Sequence, residues 1–451
     1  MPGMRVQPAR RILGESSMPG DKSISHRAAI LSALGEGRAQ ISNFATSEDC
    51  ASTLRCLGQL GVGVEREGTN VVVEGVGRRG LRPSADPLDC GNSGSSMRLL
   101  AGVLAAQGFA STLTGDESLR SRPMRRIIKP LEMMGARIMA QDGHAPLRVE
   151  GSSQLKAINY EMDVPSAQVK SCILLAGLGA EGRTCVVEQQ GATRDHTERM
   201  LRWLGVTVES SKIERDGAHL EAIAIEGGQP FAAKDGTVPG DISSAAFFIA
   251  AAAMLPGSKL KITNVGLNPT RTRLLSVLRS LGVDVQLDFI ERDGDWWQED
   301  FLEPFGNITV RGGPGLAPLK EGESNVLRGA LIAQLIDELP ILAVLGSQVI
   351  GGISIRDAAE LRVKESDRIS TTVENLRAMG AEVEEHEDGL TIPERTQLRG
   401  ASLNAHGDHR IAMAFAVAAL IAEGESQILG AECVGVSFPG FFDLLESVVK
   451  R

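Results

Sequence analysis

Aromatic residues are scarce in this chain: 4% of 451 residues, with one tyrosine and three tryptophans. A surface that stacks successive bases needs such rings, so a nucleic-acid platform is disfavoured. Paired cysteines are missing too. Cys50, Cys56, Cys90, Cys172, Cys185 and Cys433 contain no C-x-x-C pair, which points to reduced thiols rather than a disulfide frame or a zinc site. Positive charge is not in excess, since 47 Lys and Arg stand against 57 Asp and Glu, for a net −10. That argues against a general polyanion binder but leaves room for a local cationic site. No apolar run is long enough to span a bilayer, and the opening "MPGMRVQPARRILGESS" lacks the apolar stretch of a secretory signal. The expectation is a cytoplasmic protein with neither nucleic acid nor membrane as partner. Nucleotide loops are also lacking. No G-x-x-x-x-G-K-[ST] occurs, and "GVGRRG" (75–80) is followed by Pro83 and Pro87, so no helix opens there. "HGDH" (406–409) has no third clustered His or Cys, and no metal is expected.

What is present is a repeat. A helix-like apolar run ending in Leu-Gly or Met-Gly, then alternating apolar residues, occurs as "LRCLGQLGVGVE", "IIKPLEMMGARI", "ERMLRWLGVTVE", "LLSVLRSLGVDVQ" and "VENLRAMGAEVEE". The marker glycines are Gly61, Gly135, Gly205, Gly282 and Gly380, spaced 74, 70, 77 and 98 residues apart. The long interval contains "DFIERDGDWWQEDFLEPFG", which reads as a surface excursion, and the C-terminus leaves room for a sixth, truncated unit. Each unit also has a polar or small-residue start to a helix that is apolar nearly all round: "GDKSISHRAAILSAL", "GNSGSSMRLLAGVLAA", "PSAQVKSCILLAGL", "PGDISSAAFFIAAAML", "IDELPILAVLG" and "GDHRIAMAFAVAALIA". Such helices should be buried and capped by Asp or Ser. "NVVVEG", "KLKITNV" and "GGISIRDA" read as strands. Six units suggest an α/β chain of two domains of three. The domains would be 18–239, and 1–17 plus 240–451, with hinges near 17–21 and 237–241, where P-G-D recurs.

Buried helices with polar N-termini gather unpaired N–H groups and positive dipole ends, which attract anions. Lys22, Ser23 and Arg27 sit on the first such helix and suit a phosphate or carboxylate, although a capped helix with surface charges explains them as well. "SLRSRPMRR" (118–126) places Arg122 before Pro123, where the backbone should be extended. In "LRVKESDR" (361–368), a helix would put Lys364 and Arg368 on one face, with Glu365 beside Arg368. An acid among cations can move a proton while the cations hold an anion. Asp337 and Glu338 precede an apolar helix, and His409 and Arg410 begin another.

Taken in order, "PGDKSISHR", "GNSGSSMR", the Arg-Pro at 122–123, "SAQVKS", "RDHTER", "LRVKESDR" and "DHRIAM" resemble the 5-enolpyruvylshikimate-3-phosphate synthase family, and its second sequence class in particular. The resemblance runs nearly end to end. It implies an inside-out α/β barrel of six βαβαββ repeats, three per domain, with the active site in the cleft between the domains. It implies transfer of the enolpyruvyl group of phosphoenolpyruvate to the 5-hydroxyl of shikimate 3-phosphate, by a monomer needing no cofactor. By that resemblance Lys22, Ser23, Arg27, Ser166, Ala167, Gln168, Arg194, Asp337 and Lys364 would bind shikimate 3-phosphate. Lys22, Gly94, Arg122, Gln168, Arg368 and Arg410 would hold phosphoenolpyruvate. Asp337 would be the base, and Glu365, with Lys22, the proton donor. Departures are Val436, where many relatives carry lysine, and Leu99, where proline is common. Glycine at 94 implies sensitivity to the herbicide glyphosate. The related UDP-N-acetylglucosamine enolpyruvyl transferases typically carry a cysteine in the loop "TLTGDESLRSRP", which here has none. A non-catalytic anion sensor on the same scaffold would have no need of the two acids.

Overall fold

The computed structural model describes residues 3–191, 193–290, 300–318 and 325–451. The chain divides into a first compact unit, Gly20–Val238 with Arg292–Glu303, and a second, Met1–Pro19, Pro239–Glu291 and Pro304–Arg451. The chain passes between them at Pro19–Gly20 and Val238–Pro239, within the expected hinge stretches 17–21 and 237–241, and again at Glu291–Arg292 and Glu303–Pro304.

Three four-stranded sheets in the first unit share one pattern. A short strand lies parallel to a central strand, which continues antiparallel into a two-strand hairpin. Leu88–Asp89 pairs in this way with Ala110–Thr114, His144–Glu150 and Arg137–Gln141. Asn159–Glu161 does so with Arg183–Gln189, Ala218–Glu226 and Val208–Arg215. In the remaining sheet, Glu36–Ser42, Asn70–Val76 and Gly63–Glu67 take their parallel strand from Gly236–Thr237, at the far end of the unit. The second unit repeats the pattern around Lys259–Gly266 and Ile353–Ile355. Its last sheet, Ser402–Asn404 beside Ser426–Leu429, is completed antiparallel by Met4–Val6. The sixth repeat, short at the C-terminus, is thus finished by the N-terminal segment. Arg11–Ser17 likewise supplies the parallel strand of the fourth.

Inside the sheets lie six helices: α1 (Lys22–Leu34), α2 (Gly94–Ala105), α3 (Ala167–Gly177), α4 (Ile242–Met254), α5 (Leu339–Gly346) and α6 (His409–Leu420). Every residue of α6 and all of α4 but Met254 are buried. Strands such as His144–Glu150 alternate buried and exposed, so the sheets form the outer layer of each unit. This is an α/β fold with its helices inside. Small residues let the helices pack closely: a Cβ on Gly102 of α2 would come within 2.2 Å of the Cys172 carbonyl oxygen on α3. The five marker glycines end the outer helices of their repeats with positive φ, from +82° at Gly282 to +104° at Gly135. That conformation is the usual helix C-terminal turn and suits glycine.

The excursion at 288–306 departs from expectation. Residues 291–299 lie outside the described residues, but Phe301 is 1% exposed and packs within the first unit, 4.8 Å from the Trp203 ring. Phe301 serves packing, whereas Phe289 at the start of the stretch is exposed.

Replacing Gly102 by alanine should lower stability by about 2 kcal/mol, because a backbone carbonyl cannot yield to the methyl group. Gly205→Ala, whose new methyl meets open space, should cost about 1 kcal/mol from φ alone. Urea denaturation of the two variants checks both the size and the order.

Candidate active site

The first unit gathers cations at three helix starts. Asp21, Ser93 and Ser166 cap α1, α2 and α3, accepting from Ile24 N at 3.0 Å, Ser96 N at 3.1 Å and Val169 N at 3.4 Å. Side chains stitch these ends together. Lys22 Nζ donates to Asp49 Oδ2 at 2.8 Å, and Ser96 Oγ donates to the Asp49 carbonyl at 3.3 Å. Gln168 Nε2 donates to Ser95 Oγ at 2.8 Å, and its Oε1 accepts from Arg98 Nη1 at 2.6 Å. Arg122 is extended as expected before proline, with ψ 141°. It is buried, and its Nη2 donates to Asn92 Oδ1 at 2.6 Å and Ser118 Oγ at 3.1 Å. Gly94 leaves room for both arginines: a Cβ there would stand 2.7 Å from Arg98 Nη1 and 3.6 Å from Arg122 Nη1.

Arg27 lies deeper. Its guanidinium donates to Thr197 Oγ1 at 2.7 Å, Ser171 Oγ at 2.8 Å and the Ser23 carbonyl at 2.9 Å. Burial pulls Arg27 down to about 10, Glu198 and Asp21 support its charge, and Arg194 opposes it. Beneath, Lys170 Nζ sits 2.6 Å from both Glu188 Oε1 and Glu198 Oε1, all three buried. Burial lowers the Lys170 pKa, and the two carboxylates more than offset that. Lys170, Arg27 and the two glutamates sum to no net charge, as a dry interior requires.

The second unit collects acids as well as cations. Arg368 is 1% exposed. Its Nε donates to Asp408 Oδ2 at 2.7 Å and its Nη2 to Glu365 Oε2 at 2.7 Å. Nη1 lies 3.7 Å from Asp337 Oδ1 and makes no hydrogen bond among the described residues. Burial lowers the Arg368 pKa, but Asp408 and Glu365 hold its charge above the ordinary range. Arg410 Nη1 donates to the Asp337 carbonyl at 2.9 Å and Nη2 lies 3.5 Å from its carboxylate. Lys364 is half-buried; burial pushes its ammonium down, with Asp337 and Glu360 resisting. The helix starts are tied here too. Glu338 at the start of α5 accepts from Ser243 Oγ of α4, which accepts from Arg271 Nη2 at 2.7 Å.

One local expectation is corrected. Lys364 and Glu365 are not on a helix with Arg368. A 3-10 turn ends at Val363, Lys364 is extended, and the helix Arg368–Ala378 begins only where Asp367 caps Ile369 N and Ser370 N. Glu365 still reaches Arg368 from the capping turn. The structure places Lys22, Ser23, Gly94, Arg122, Ser166, Ala167 and Gln168 at the stitched helix starts, with Arg27 reaching Thr197 of the helix His196–Trp203 and Arg194 two residues before that helix. Asp337, Lys364, Glu365, Arg368 and Arg410 form the second cluster. Sequence reasoning passed over Arg98, Asp49, Thr197, Lys170 and Asp408. Asp408 was signalled by its capping position, whereas Arg98 has its partner Gln168 70 residues away. The partnerships of Asp49 and Thr197 span 27 and 170 residues and carry no local signal.

Comparison with known proteins gives a family model described as EPSP synthase (3-phosphoshikimate 1-carboxyvinyltransferase), matching residues 6–445. A 3-phosphoshikimate 1-carboxyvinyltransferase of Koribacter versatilis (strain Ellin345) is 53% identical, covering 100% of both chains. One of Solibacter usitatus (strain Ellin6076) is 48% identical, covering 99% of each. A solved EPSP synthase from Acinetobacter baumannii superposes with TM-score 0.82 at 38% identity, covering 99% of this chain and 98% of that one.

His26, next to Arg27, is wholly buried with Nδ1 2.7 Å from Thr53 Oγ1. Burial depresses its pKa from 6.5 to about 3, against the pull of Asp49. As pH falls below about 6.5 the unfolded chain takes up a proton that the folded chain refuses, so stability drops across the window from about 6.5 to about 3. His26→Gln should flatten that slope, measured by denaturation at pH 7 and pH 4.5.

Proposed function

The chain belongs to the EPSP synthase family, and from that premise we propose that it transfers the enolpyruvyl group of phosphoenolpyruvate to the 5-hydroxyl of shikimate 3-phosphate, releasing phosphate. The observation that carries the residue roles is Arg368: a buried guanidinium held by Asp408 and Glu365, with one nitrogen facing Asp337 and making no hydrogen bond among the described residues. Such a donor suits an anionic ligand, and it touches both acids that the reaction needs.

In this reading Asp337 takes the proton of the 5-hydroxyl as its oxygen bonds to the second carbon of phosphoenolpyruvate. Glu365, with Lys22, delivers a proton to the methylene carbon. Loss of a proton from the resulting methyl group and departure of phosphate restore the double bond. Arg368 holds Glu365 in place, its Nη2 donating to Glu365 Oε2 at 2.7 Å. Lys22, Ser23, Arg27, Ser166, Ala167, Gln168, Arg194 and Lys364 would bind shikimate 3-phosphate. Lys22, Gly94, Arg122, Gln168, Arg368 and Arg410 would bind phosphoenolpyruvate. Arginines and lysines offset the mutual repulsion of two anionic substrates and hold them in register. Family membership disfavours a UDP-N-acetylglucosamine transferase or a passive sensor. The proposal includes a monomer acting in the cytoplasm; among the described residues no helix is long and apolar enough to cross a membrane.

Phosphate release from phosphoenolpyruvate should depend on shikimate 3-phosphate and fall a hundredfold or more in Asp337→Asn, about the contribution of a general base. Release without shikimate 3-phosphate, or an unaffected variant, would remove the reaction or the base respectively. A methyl group at Gly94 presses on Arg98 and Arg122. Gly94→Ala should therefore weaken inhibition by glyphosate about tenfold, equivalent to ~1.4 kcal/mol, measured as the shift in inhibitor concentration at half activity.

A further inference from the structure

Between the strands Asp284–Phe289 and Phe305–Arg311 of the second unit, residues 300–303 pack instead into the first. The fit is specific. Asp300 Oδ2 accepts from Thr237 N at 2.7 Å. The Phe301 ring lies against Trp203 and over Gly236, where a Cβ would come within 2.7 Å of the ring. The Leu302 carbonyl accepts from Arg199 Nη1 at 2.9 Å. Glu303 Oε1 accepts from His196 Nδ1 at 2.7 Å, with both residues about 1% exposed. Phe301 and Leu302 hold positive φ, 62° and 54°; such a backbone persists where its surroundings dictate it.

This strap grips the start of one helix, His196–Trp203. His196 is its first residue, Arg194 lies two residues before it, and Thr197 follows. The Thr197 hydroxyl accepts from Arg27 Nε at 2.7 Å and lies 2.7 Å from Ser171 Oγ on α3. A carboxylate can only accept, so its bond to Nδ1 also sets which imidazole nitrogen carries the proton. The Glu303 charge adds to that of Glu198 in supporting the buried Arg27. None of these strap residues belongs to the two polar clusters described above.

We propose that Glu303 and His196 are positioning residues for the shikimate 3-phosphate side of the reaction: the strap fixes the start of the helix His196–Trp203, and with it Arg194 and the Thr197 hydroxyl that orients Arg27. The inference rests on the reading of Arg27 and Arg194 as shikimate 3-phosphate ligands. It makes binding of that substrate, and not of phosphoenolpyruvate, depend on a segment threaded through from the other unit.

The experiment is steady-state kinetics of Glu303→Ala in the full chain, varying each substrate in turn, with the melting temperature recorded alongside. KM for shikimate 3-phosphate should rise about tenfold, the loss of one charge-assisted hydrogen bond. KM for phosphoenolpyruvate and kcat should stay within about twofold of the parent. Glu303→Gln keeps an acceptor for Nδ1 and should recover most of the loss. An unchanged KM for shikimate 3-phosphate, or equal changes in both KM values, would overturn the proposal. If Glu303→Ala does not fold, Glu303→Asp carries the test, because it keeps the charge but withdraws it by one methylene. A threefold or larger rise in KM for shikimate 3-phosphate supports the role, and no rise overturns it. A parent protein that does not turn over shikimate 3-phosphate would sink the proposed function and this inference together; an active parent with an indifferent Glu303→Ala sinks only the inference.

Discussion

Burying a helix whole leaves its first turn of backbone N–H groups with no partner inside the helix. Most proteins meet that constraint by leaving helix ends in water. Here six helices run through the interiors of two units, and each start has to be satisfied in place. Asp21, Ser93, Ser166, Asp241 and Asp408 do so as side-chain caps. The fifth helix differs: Glu338 makes no cap bond and turns to Ser243, while Pro340 in the first turn has no N–H to satisfy. The polar residues that cap and cross-link these ends are the same ones, or the neighbours of the ones, that carry the chemistry. Site and fold answer to one requirement.

The two units meet it with different charge. Around α1, α2 and α3 the first unit sets Lys22, Arg27, Arg98, Arg122 and Arg194 against few acids, an arrangement for holding anions. Around α5 and α6 the second sets Asp337, Glu365 and Asp408 about Arg368 and Arg410, an arrangement that can also move protons. Desolvation makes both costly unless paired, which explains why the buried cations named above have a carboxylate, hydroxyl or backbone carbonyl at hydrogen-bond distance. The Lys170, Glu188, Glu198 and Arg27 group is the clearest case. Lys170, Glu188 and Glu198 are buried beneath Arg27, with Lys170 and Glu198 next in sequence to Ser171 and Thr197, whose hydroxyls accept from Arg27.

The repeat is closed by segments distant in sequence. Gly236–Thr237 begins the sheet of the first repeat, and the N-terminal strands Met4–Val6 and Arg11–Ser17 serve the sixth and the fourth. No local pattern announces such exchanges, because strands of two or three residues have too little periodicity to be recognised alone, and even a seven-residue strand such as Arg11–Ser17 does not encode which distant strand it joins. The strap at 300–303 is another: its aromatic and acidic residues look like solvated loop until Trp203 and His196 are seen beneath them.

By itself the sequence determined the six buried helices and most of their caps. A long apolar run behind Asp or Ser reads as a capped, buried helix, and the marker glycines read as the left-handed turns that end the outer helices. It also determined the family, through ordered motifs carrying Lys22, Arg122, Glu365, Arg368 and Arg410. What the tertiary structure alone decided is who neutralises whom. That Asp49 faces Lys22, Thr197 faces Arg27, Asp408 faces Arg368 and Glu303 faces His196 depends on packing between segments many residues apart. The helical stretch expected over Lys364 and Glu365 gave way for the same reason: the Asp367 cap and the buried Arg368 outweigh local helix spacing. Periodicity along a chain reports which face is buried; electrostatic partnership is a property of the folded interior, where distance in space and loss of water set the energies.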